Sequence, residues 1–487
     1  MRSQSLFNMA VSMKQLMFCV VLILFLGMII SIFNEINTGV LFGKKTFDFD
    51  RKEASRLDMP SSTLGMSCKF ANITTVLSNP ILEWRDNYPS PVSNLIKLYV
   101  YETLPSELDV EQELYQRYCT DSNMNSNYKS ELALLQLFRS FPGRTMNPKE
   151  ADIFVVPYLH AGHCLLAPGW KLHCSHVPRY MVDGWMPQNL TYWDTNTRGR
   201  HLFFNVAGFS HTKKVMRRTA LLALTSGPRI HNSPKGHIII PQFNDHPRFQ
   251  PSHIRADDDQ WWTRKRKYAF VSYYGESNPN MKKLSGRKLR RWFRQDIERH
   301  VVTQQNSTFG GFPFVMRHTY QGGEVVTESE VDIYDKYAES IFCPVLPGDN
   351  SWQRRFFDVI LSGCLPIVLY WNTTQGTTWF VPPSMDRLSP TIEMAYPFAK
   401  GLFSDIDLAV DYDSFVIQCP GNEGDLSDFS SLRETMLRLL EHEPEEIRRR
   451  QLQMKKFALA FTFGLGNDAH RYNDVFSRVI RAVKSLI

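Results

Sequence analysis

The sequence lacks the features that mark several broad classes of protein. It has no internal repeat and no long low-complexity segment, so a solenoid or array architecture is not expected. Its net charge is only +7 over 487 residues, which argues against a dedicated nucleic-acid surface but favours acidic ligands. Hydrophobic residues make up 43% and aromatic residues 13% of the chain. The chain is therefore not disordered, and its length suits two domains with appendages.

Cysteine is scarce, with 8 residues in all. Cys19 lies in an apolar N-terminal run, so eight less one leaves seven, an odd number that leaves one thiol for an intermolecular bridge. Cys164 and Cys174 bracket a short loop and are the first candidate disulfide, and Cys343 with Cys364 is the second. A zinc site at the first pair with its neighbouring histidines is the minor alternative, because the spacing fits no standard finger.

An uncharged run of 18 residues, Leu16–Phe33, is just long enough to span a bilayer. Arg2 and Lys14 precede it, and Asn34-Glu35 follows where a cleavable signal peptide should have small residues. We expect an uncleaved signal anchor at 16–33, with residues 1–15 cytoplasmic and the body lumenal. A cleavable signal peptide is the alternative.

Four N-x-[ST] acceptors agree with a lumenal body, since such sites are expected on surface loops of secreted chains. The candidate glycosylation sites are Asn72, Asn189, Asn306 and Asn372. Residues 34–93 are irregular and polar, and we expect a stem that holds the body away from the membrane.

Strand-like and helix-like segments alternate about four times between residues 94 and 245, which predicts a parallel sheet with crossover helices. The predicted strands are Ile96–Tyr101, Ala151–Leu159, a strand through Ala207, and His237–Pro241; the predicted helices are Glu107–Tyr118, Tyr128–Phe141 and Met216–Leu224. His160 and His163 follow the second strand, at the edge where ligands gather. The irregular interval Asn244–Trp262 ends this first domain, 94–245.

The second domain, 246–487, begins again with a strand at Lys267–Tyr273. A basic helix at Leu284–His300 and an irregular segment follow, then the stretch Ser340–Trp371. The last predicted helices are Leu432–Leu440, Pro444–Phe461 and Arg471–Leu486. Two sequential α/β units predict a bilobed molecule with a cleft between them.

The stretch Ser340–Trp371 carries the clearest chemistry. It predicts a strand, a Pro-Gly-Asp loop, a helix from Asn350 or Ser351 that stops at Ser362-Gly363, and a buried strand at Pro366–Tyr370. A helix start at the carboxyl edge of a sheet offers free N–H groups and a positive dipole end to an anion.

Three side chains near this helix start extend the anion site. Arg354 and Arg355 provide guanidinium forks suited to phosphate, and Asp358 can accept hydrogen bonds from hydroxyls. The two arginines point about 100° apart, and we expect Arg355 to face the ligand. The structural alternative is that one arginine only pairs with Asp358 across a helical turn.

Asp257, Asp258 and Asp259 could hold a divalent metal against a diphosphate. No strand precedes them, so we expect a solvated loop and no metal site, with the metal-dependent enzyme as an alternative.

Four blocks of the sequence resemble the exostosin-like glycosyltransferases, glycosyltransferase family 47. They are KLYVYETLP at 97–105, ADIFVVPYL at 151–159, YWDTNTRGRHLFF at 192–204 and FCPVLPGDNSWQRRFFDVILSGCLPIVL at 342–369. Together with RKYAFVSYYG at 266–275, they run over most of the chain after the stem. The last block is the most specific and is most similar to the xyloglucan-galactosyltransferase-like branch.

The resemblance implies a GT-B fold, with two Rossmann-like domains facing a cleft and the donor bound mainly by the second. It implies inverting transfer from a UDP-sugar, without a cofactor and usually without a metal, to a polysaccharide or glycoprotein glycan. The implied donor-binding residues are Gly348, Ser351, Arg354, Arg355, Asp358 and Arg287. Single-span Golgi anchoring is also usual in the family.

The acceptor side is less well specified. His201 stands where the family has a histidine that orients the acceptor or acts as base, and His160 and His163 are further candidates. Arg200 replaces the acid that usually precedes this histidine, so a buried structural histidine is the alternative. The prediction is a type II Golgi glycosyltransferase for cell-wall or matrix polysaccharide, either alone or in an oligomer with other transferases. From another class, an inactive scaffold subunit is the alternative.

Overall fold

The structure is a computed structural model, and all of the residues it describes lie in one compact unit, Leu64–Ile487. The described residues are 92–102, 104, 111, 113–114, 129–159, 162, 190–194, 196–205, 221–224, 237–244, 246–276, 286–301, 308–320, 330–346, 354–373, 376–379, 396–400 and 407–487. The predicted cytoplasmic tail and membrane span, and the stem up to residue 91, lie outside them. Within these ranges no helix has both the length and the apolar character to cross a bilayer.

The first half of the body forms a five-stranded parallel sheet whose strands are ordered as in the sequence. The strands are β1 (Leu98–Val100), β2 (Ile153–Val155), β3 (His201–Asn205), β4 (Leu221–Leu224) and β5 (His237–Ile239). Helix α1 (Lys129–Arg139) follows β1. The predicted α/β class is confirmed, because short buried apolar runs in a parallel sheet need crossover connections that cover its faces.

One predicted element of this half was wrong. The segment Met216–Leu224 was expected to be a helix, but Leu221–Leu224 is a strand that pairs with β3 on one side and β5 on the other. Leucine and alanine favour a helix locally, but the backbone hydrogen bonds to β3 and β5 on the two sides of this segment override that preference.

The second half forms a larger sheet from the strands β6 (Tyr268–Glu276), β9 (Val315–Tyr320), β10 (Ser340–Pro344), β11 (Leu365–Thr373), β12 (Gly376–Trp379) and β13 (Ile417–Pro420). In this sheet β12, β11, β10, β6 and β9 are neighbours in that order, and β13 also pairs with β11. The strands β7 (Thr308–Phe309) and β8 (Phe312–Pro313) form a separate hairpin. All pairings of the larger sheet are parallel except β11 with β12.

In the second half, the described residues form seven α-helices. They are α2 (Asp259–Trp262), α3 (Gly286–His300), α4 (Glu330–Ala338), α5 (Arg354–Leu361), α6 (Ser430–Glu441), α7 (Pro444–Phe457) and α8 (Val475–Leu486). The segment predicted to be irregular, between α3 and the 340–371 stretch, contains β7, β8, β9 and α4. Short strands separated by polar residues leave little periodicity to detect.

The order of the second sheet reverses beside β6. From β6 the chain continues to β9 on one side and then to β10 on the other. In open parallel sheets, ligands bind at the carboxyl ends of the strands where such a reversal occurs. By this rule a ligand would bind at the carboxyl ends of β6 and β10, the strands that precede α3 and α5, and we call this edge of the sheet the crevice.

The end of α5 explains the predicted stop at Ser362-Gly363. Gly363 has φ 78, a left-handed conformation that suits glycine at a helix end. Its N–H donates to the Ile360 carbonyl at 2.9 Å, and the Cys364 N–H donates to the Val359 carbonyl at 2.9 Å. A Cβ at Gly363 would also lie only 2.9 Å from an Arg266 nitrogen.

The C-terminal helix α8 packs against the first half of the chain. The Phe476 ring lies 5.0 Å from that of Phe138 and 5.5 Å from that of Phe141, between ring centroids. The first helical turn is capped by Asp474, which accepts from the Ser477 N–H at 3.0 Å. The helix that ends the chain therefore stabilises the first half as well as the second.

Candidate active site

Helix α5 begins at the carboxyl edge of the second sheet, directly after the central strand β10. Strand β10 is fully buried, and α5 buries Phe356, Val359 and Ile360 to 1% exposure or less. This packing fixes the helix and leaves its first residues, Arg354 and Arg355, partly exposed at the crevice.

Four side chains from three separate segments meet at this helix start. Asn244, Tyr334 and Asp358 are 8%, 2% and 4% exposed, and Arg354 joins them from the edge of the crevice. We call these four residues the cleft network. Asn244 follows β5 of the first sheet, Tyr334 lies on α4, and the other two lie on α5. The network therefore joins the carboxyl edges of the two sheets.

The hydrogen bonds of the cleft network end on two acceptors, the Asp358 carboxylate and the Tyr334 hydroxyl. The amide nitrogen of Asn244 donates to Asp358 Oδ1 at 2.7 Å and to the Tyr334 hydroxyl at 2.9 Å. Arg354 Nε donates to Asp358 Oδ2 at 3.3 Å, and Arg354 Nη2 donates to the Tyr334 hydroxyl at 3.3 Å. The carboxylate thus has a fixed orientation and a compensated charge.

Arg354 pairs with Asp358 across a helical turn. This is the pairing that the sequence left open as the structural alternative for one of the two arginines. Arg354 holds the acid across a single helical turn, so part of its charge is used inside the protein. Arg355 points to a different side of the helix and is half-buried.

The other predicted donor residues are placed only in part. Arg287 lies in the first turn of α3, which follows β6 at the other side of the crevice. Gly348 and Ser351 lie outside the described residues. The structure therefore brings Arg354, Arg355 and Asp358 to one helix end and puts the helix of Arg287 across the crevice from it.

His201 occupies a closed aromatic cluster at the start of β3. It is 0% exposed, stacks on Phe154 at 4.9 Å and meets Trp193 edge-on at 4.7 Å between ring centroids. Its Nδ1 donates to the Thr197 carbonyl at 3.0 Å, since a carbonyl can only accept. Its Nε2 then accepts from the Tyr101 hydroxyl at 2.9 Å. We call these five residues the aromatic cluster.

This environment favours the structural alternative for His201. Burial lowers the pKa of His201 to about 4, so the ring is neutral, and both nitrogens are engaged inside the protein. The residue also lies at the amino end of its strand, away from the edge where ligands gather. Its neighbour Arg200 donates to the Ala151 carbonyl at 3.0 Å and ties β3 to the start of β2.

His160 and His163 lie outside the described residues, but Gly162 between them is placed. Its N–H donates to the carboxylate of Glu131, at 3.4 Å. Glu131 belongs to the first turn of α1 and is 1% exposed. This buried acid holds Gly162 against α1.

The three consecutive aspartates lie at the opposite end of the second sheet, before the amino end of β6. Asp258 caps α2 by accepting from the Trp261 N–H at 2.9 Å, and Asp259 pairs with Lys455. Asp257 is exposed. Among the described residues no group of three His, Cys, Asp or Glu side chains is placed to hold a metal. Asp258 thus caps a helix and Asp259 pairs with a lysine, in the segment before β6 rather than at the start of α5.

Cys343 and Cys364 form a disulfide with a Cα–Cα distance of 5.8 Å. The bond links β10 to the residue before β11 and so encloses α5. Cys419 is buried with a free thiol, whereas Cys164 and Cys174 lie outside the described residues. Of the four glycosylation candidates only Asn372 is described; it is exposed on β11 and accepts from the Thr377 hydroxyl at 3.0 Å.

A comparison with protein families identifies the family of the chain. The model of the exostosin GT47 domain matches residues 93–420, which is most of the chain and includes the whole cleft network. The chain belongs to the exostosin GT47 family.

Relatives in this GT47 family carry the names of glycosyltransferases. The chain is 24% identical over 294 residues to "Probable beta-1,4-xylosyltransferase IRX10L" of Arabidopsis thaliana, which covers 57% of this chain and 63% of the relative. It is 22% identical to a probable glucuronoxylan glucuronosyltransferase of the same plant, over 56% of each. A shorter match, 31% over 68 residues, covers 14% of this chain and 13% of "Probable xyloglucan galactosyltransferase GT14", also from Arabidopsis thaliana.

The chain spans less than two thirds of the length of the first two relatives, 63% and 56%. The weak match to the galactosyltransferase supports the family but not one branch over another.

Sequence reasoning missed two members of the cleft network. Asn244 stood in an interval interpreted as a domain boundary, and Tyr334 stood in one interpreted as irregular. The only local signal was the polar Asn244-Asp245-His246 just after a buried strand, the position where parallel sheets carry ligand-binding residues.

Proposed function

We propose that this GT47 protein is an inverting glycosyltransferase that moves a sugar from a UDP-sugar to a polysaccharide or glycoprotein glycan, on a GT-B fold. The observation that carries the proposal is the start of α5, where two arginines and an oriented carboxylate meet at the switch point of the second sheet. Family membership and the transferase names of the relatives support the same activity.

Arg355 is proposed to bind the diphosphate of the donor. A guanidinium can donate two parallel hydrogen bonds to phosphate oxygens, and Arg355 lies at the positive end of α5, where an anion is favoured. Arg354 contributes charge while it holds Asp358. Arg287, on α3, is proposed to approach the same group from the other side of the crevice, and Gly348 with Ser351 is proposed to complete the loop.

Asp358 is proposed to accept hydrogen bonds from hydroxyls of the ribose or of the transferred sugar. A carboxylate has lone pairs on both oxygens beyond those that Asn244 and Arg354 use. It is held rigidly, so it can bind a hydroxyl without paying for its own ordering.

During transfer, the acceptor hydroxyl attacks the anomeric carbon in line with the departing UDP, which inverts the configuration. The bond from that carbon to the diphosphate breaks, and its electron pair leaves with UDP. Positive charge at the start of α5 stabilises the developing negative charge. The proton of the acceptor hydroxyl passes to a base, for which His160 and His163 remain our proposals.

The body is proposed to lie in the Golgi lumen, held by the span at 16–33 as a type II protein, alone or in an oligomer. Support comes from the apolar run, the disulfide and the exposed sequon at Asn372, since disulfides persist in the secretory pathway. A shift in mobility on treatment with an N-glycosidase, lost in Asn372→Gln for that site, tests lumenal exposure.

The activity is tested with purified full-length protein and radiolabelled UDP-xylose, UDP-glucuronate, UDP-galactose and UDP-arabinose. We expect release or transfer of one of these sugars, and loss of that activity in Arg355→Ala while the protein stays folded. Activity should persist in excess chelator. A folded protein that neither hydrolyses nor transfers any donor would instead support the scaffold subunit, and loss in chelator restored by Mn²⁺ would support the metal-dependent enzyme.

A further inference from the structure

We propose that Asn244 is a positioning residue for the donor site, which couples the first half of the chain to Asp358 on the second. The inference rests on the proposed function and deepens it. It assigns to a residue after β5 a part in binding the nucleotide sugar, although that residue is proposed to contact only the protein.

The orientation of the Asn244 amide is fixed by its own contacts. Its Oδ1 accepts from the His246 backbone N–H at 2.9 Å, and a backbone N–H can only donate. The Nδ2 atom must therefore be the one that faces Asp358 and Tyr334. Both of its hydrogens are used, one on Asp358 Oδ1 at 2.7 Å and one on the Tyr334 hydroxyl at 2.9 Å.

The segment that carries Asn244 is anchored to the first half immediately beside it. The Phe243 N–H donates to the Ser130 hydroxyl, at the start of α1, at 3.0 Å, and Phe243 itself is 0% exposed. The position of Asn244 is thus set by β5 and α1, while the groups it holds belong to α4 and α5. A movement of one half against the other would pull the amide from the carboxylate.

The Asn244 and Arg354 side chains donate to different oxygens of Asp358. Arg354 lies four residues away on the same helix, so its bond to Oδ2 persists whatever the first half does. Of these two bonds, the one from Asn244 depends on the position of the first half. Because Asp358 is 4% exposed, loss of that amide removes a hydrogen bond to Oδ1 in a site where water has little access. The carboxylate then turns more easily toward Arg354 and away from a ligand hydroxyl.

Two substitutions separate positioning from bulk packing. Asn244→Ala removes the amide. Asn244→Asp keeps the size of the side chain but places a carboxyl group against Asp358. Because two close carboxylates cannot both ionise easily, the pair keeps one shared proton at lower pH. The O–H that carries this proton can donate in place of the lost amide N–H. The variant should therefore bind donor better at low pH and lose affinity as pH rises and the shared proton leaves.

Ser130→Ala is the matched control. It removes the hydroxyl that anchors the neighbouring Phe243, but it leaves the Asn244 amide beside Asp358. If Asn244 only held the chain in place, Ser130→Ala and Asn244→Ala should affect catalysis alike.

The experiment measures calorimetric binding of UDP and the KM and kcat for the UDP-sugar that the wild-type full-length protein uses. We expect Asn244→Ala to raise the donor KM about tenfold or more, the scale of a lost hydrogen bond to a charged group, with kcat changed less and Ser130→Ala near wild type. For Asn244→Asp we expect KM to rise between about pH 5 and pH 8 by a larger factor than in wild type.

Two results would overturn the proposal in distinguishable ways. If wild type binds UDP and turns over a UDP-sugar, but folded Asn244→Ala and Asn244→Asp keep its donor KM at every pH, positioning by Asn244 is refuted and the proposed function stands. If wild type itself neither binds UDP nor uses a UDP-sugar, the proposed function fails and this inference fails with it.

Discussion

The aromatic cluster and the cleft network both bury polar side chains, yet they differ in where their partners come from. His201 forms hydrogen bonds with Thr197 and Tyr101 of the first half and stacks on the Phe154 ring of the same sheet. Asp358 accepts hydrogen bonds from Asn244 of the first half and from Arg354 of its own helix. Arg354 and its neighbour Arg355 remain partly exposed. A buried polar group whose partners are all internal stabilises a fold; one held at the rim of a crevice can also bind a ligand.

The largest expected effect is on the cleft network. Asp358→Ala should lower kcat/KM for the UDP-sugar on the order of 100-fold or more, because it removes both the acceptor for the ligand hydroxyl and the carboxylate to which Asn244 and Arg354 donate. Steady-state kinetics with circular dichroism as a folding check measures this.

The control for that variant is Glu298→Ala on α3. Glu298 also pairs with an arginine four residues away on the same helix, Arg294, at 2.8 Å, but this pair lies outside the cleft network. Near-wild-type kinetics are expected for it, and an equal loss in both variants would show that the Asp358 effect is not specific to the site.

The next effect concerns the covalent frame around α5. The Cys343–Cys364 bond closes a loop with a sequence separation of 21, so Cys343→Ser with Cys364→Ser should lower the free energy of unfolding by about 3 kcal/mol by the loop-entropy model. Denaturant unfolding of the pair against wild type measures it. Cys419→Ala, which removes a thiol outside the disulfide, is the control. An equal loss of unfolding free energy in this variant would show that the disulfide itself does not stabilise the fold.

A smaller effect is expected in the aromatic cluster, and on stability rather than activity. His201→Phe keeps the stacked ring but removes the partners of Thr197 and Tyr101, which should cost about 1–2 kcal/mol of unfolding free energy. The donor KM and kcat of the folded protein should stay near wild type. A large drop in kcat without loss of stability would restore His201 as the catalytic base.

The smallest effect is a pH dependence of stability. The folded pKa of His201, about 4, is below its usual 6.5, so between those values the unfolded chain binds a proton that the folded chain excludes. Stability should fall as pH drops through that window. Buried His470, with a pKa lowered to about 3, acts in the same direction. Asp474, with a pKa raised to about 6, stabilises the fold at low pH and loses this as pH rises from 3.8 to 6.

His201→Phe isolates one contribution to that dependence. Its unfolding free energy should fall less steeply than that of wild type between pH 6.5 and 4, as measured by denaturant titrations at several pH values. If the unfolding free energies of wild type and His201→Phe change with pH in parallel, the fold does not keep His201 neutral.

The difference between the two regions also explains what sequence could predict. The strand, helix and stop around α5 follow from local signals, an apolar run and Ser362-Gly363, so the sequence could predict the local structure that carries Arg354, Arg355 and Asp358. Asn244 reaches Asp358 across 114 residues of chain and Tyr334 reaches Arg354 across 20, and no local pattern encodes such contacts.

Local propensity also misled where pairing decides the structure. Leu221–Leu224 is composed of helix-forming residues, yet β3 and β5 on either side make it a strand. The sequence left the place of His201 open between an acceptor site and a buried structural position, because a histidine before an apolar run has the same sequence whether its ring faces a crevice or a packed sheet.

Calorimetric titration of UDP into full-length wild type, Arg355→Ala and His201→Phe tests the central claim most directly. We predict that wild type and His201→Phe bind UDP with the same affinity, while Arg355→Ala binds on the order of tenfold or more weakly, since it loses charge-assisted hydrogen bonds to the diphosphate. Unchanged affinity in folded Arg355→Ala would contradict a donor site at the start of α5.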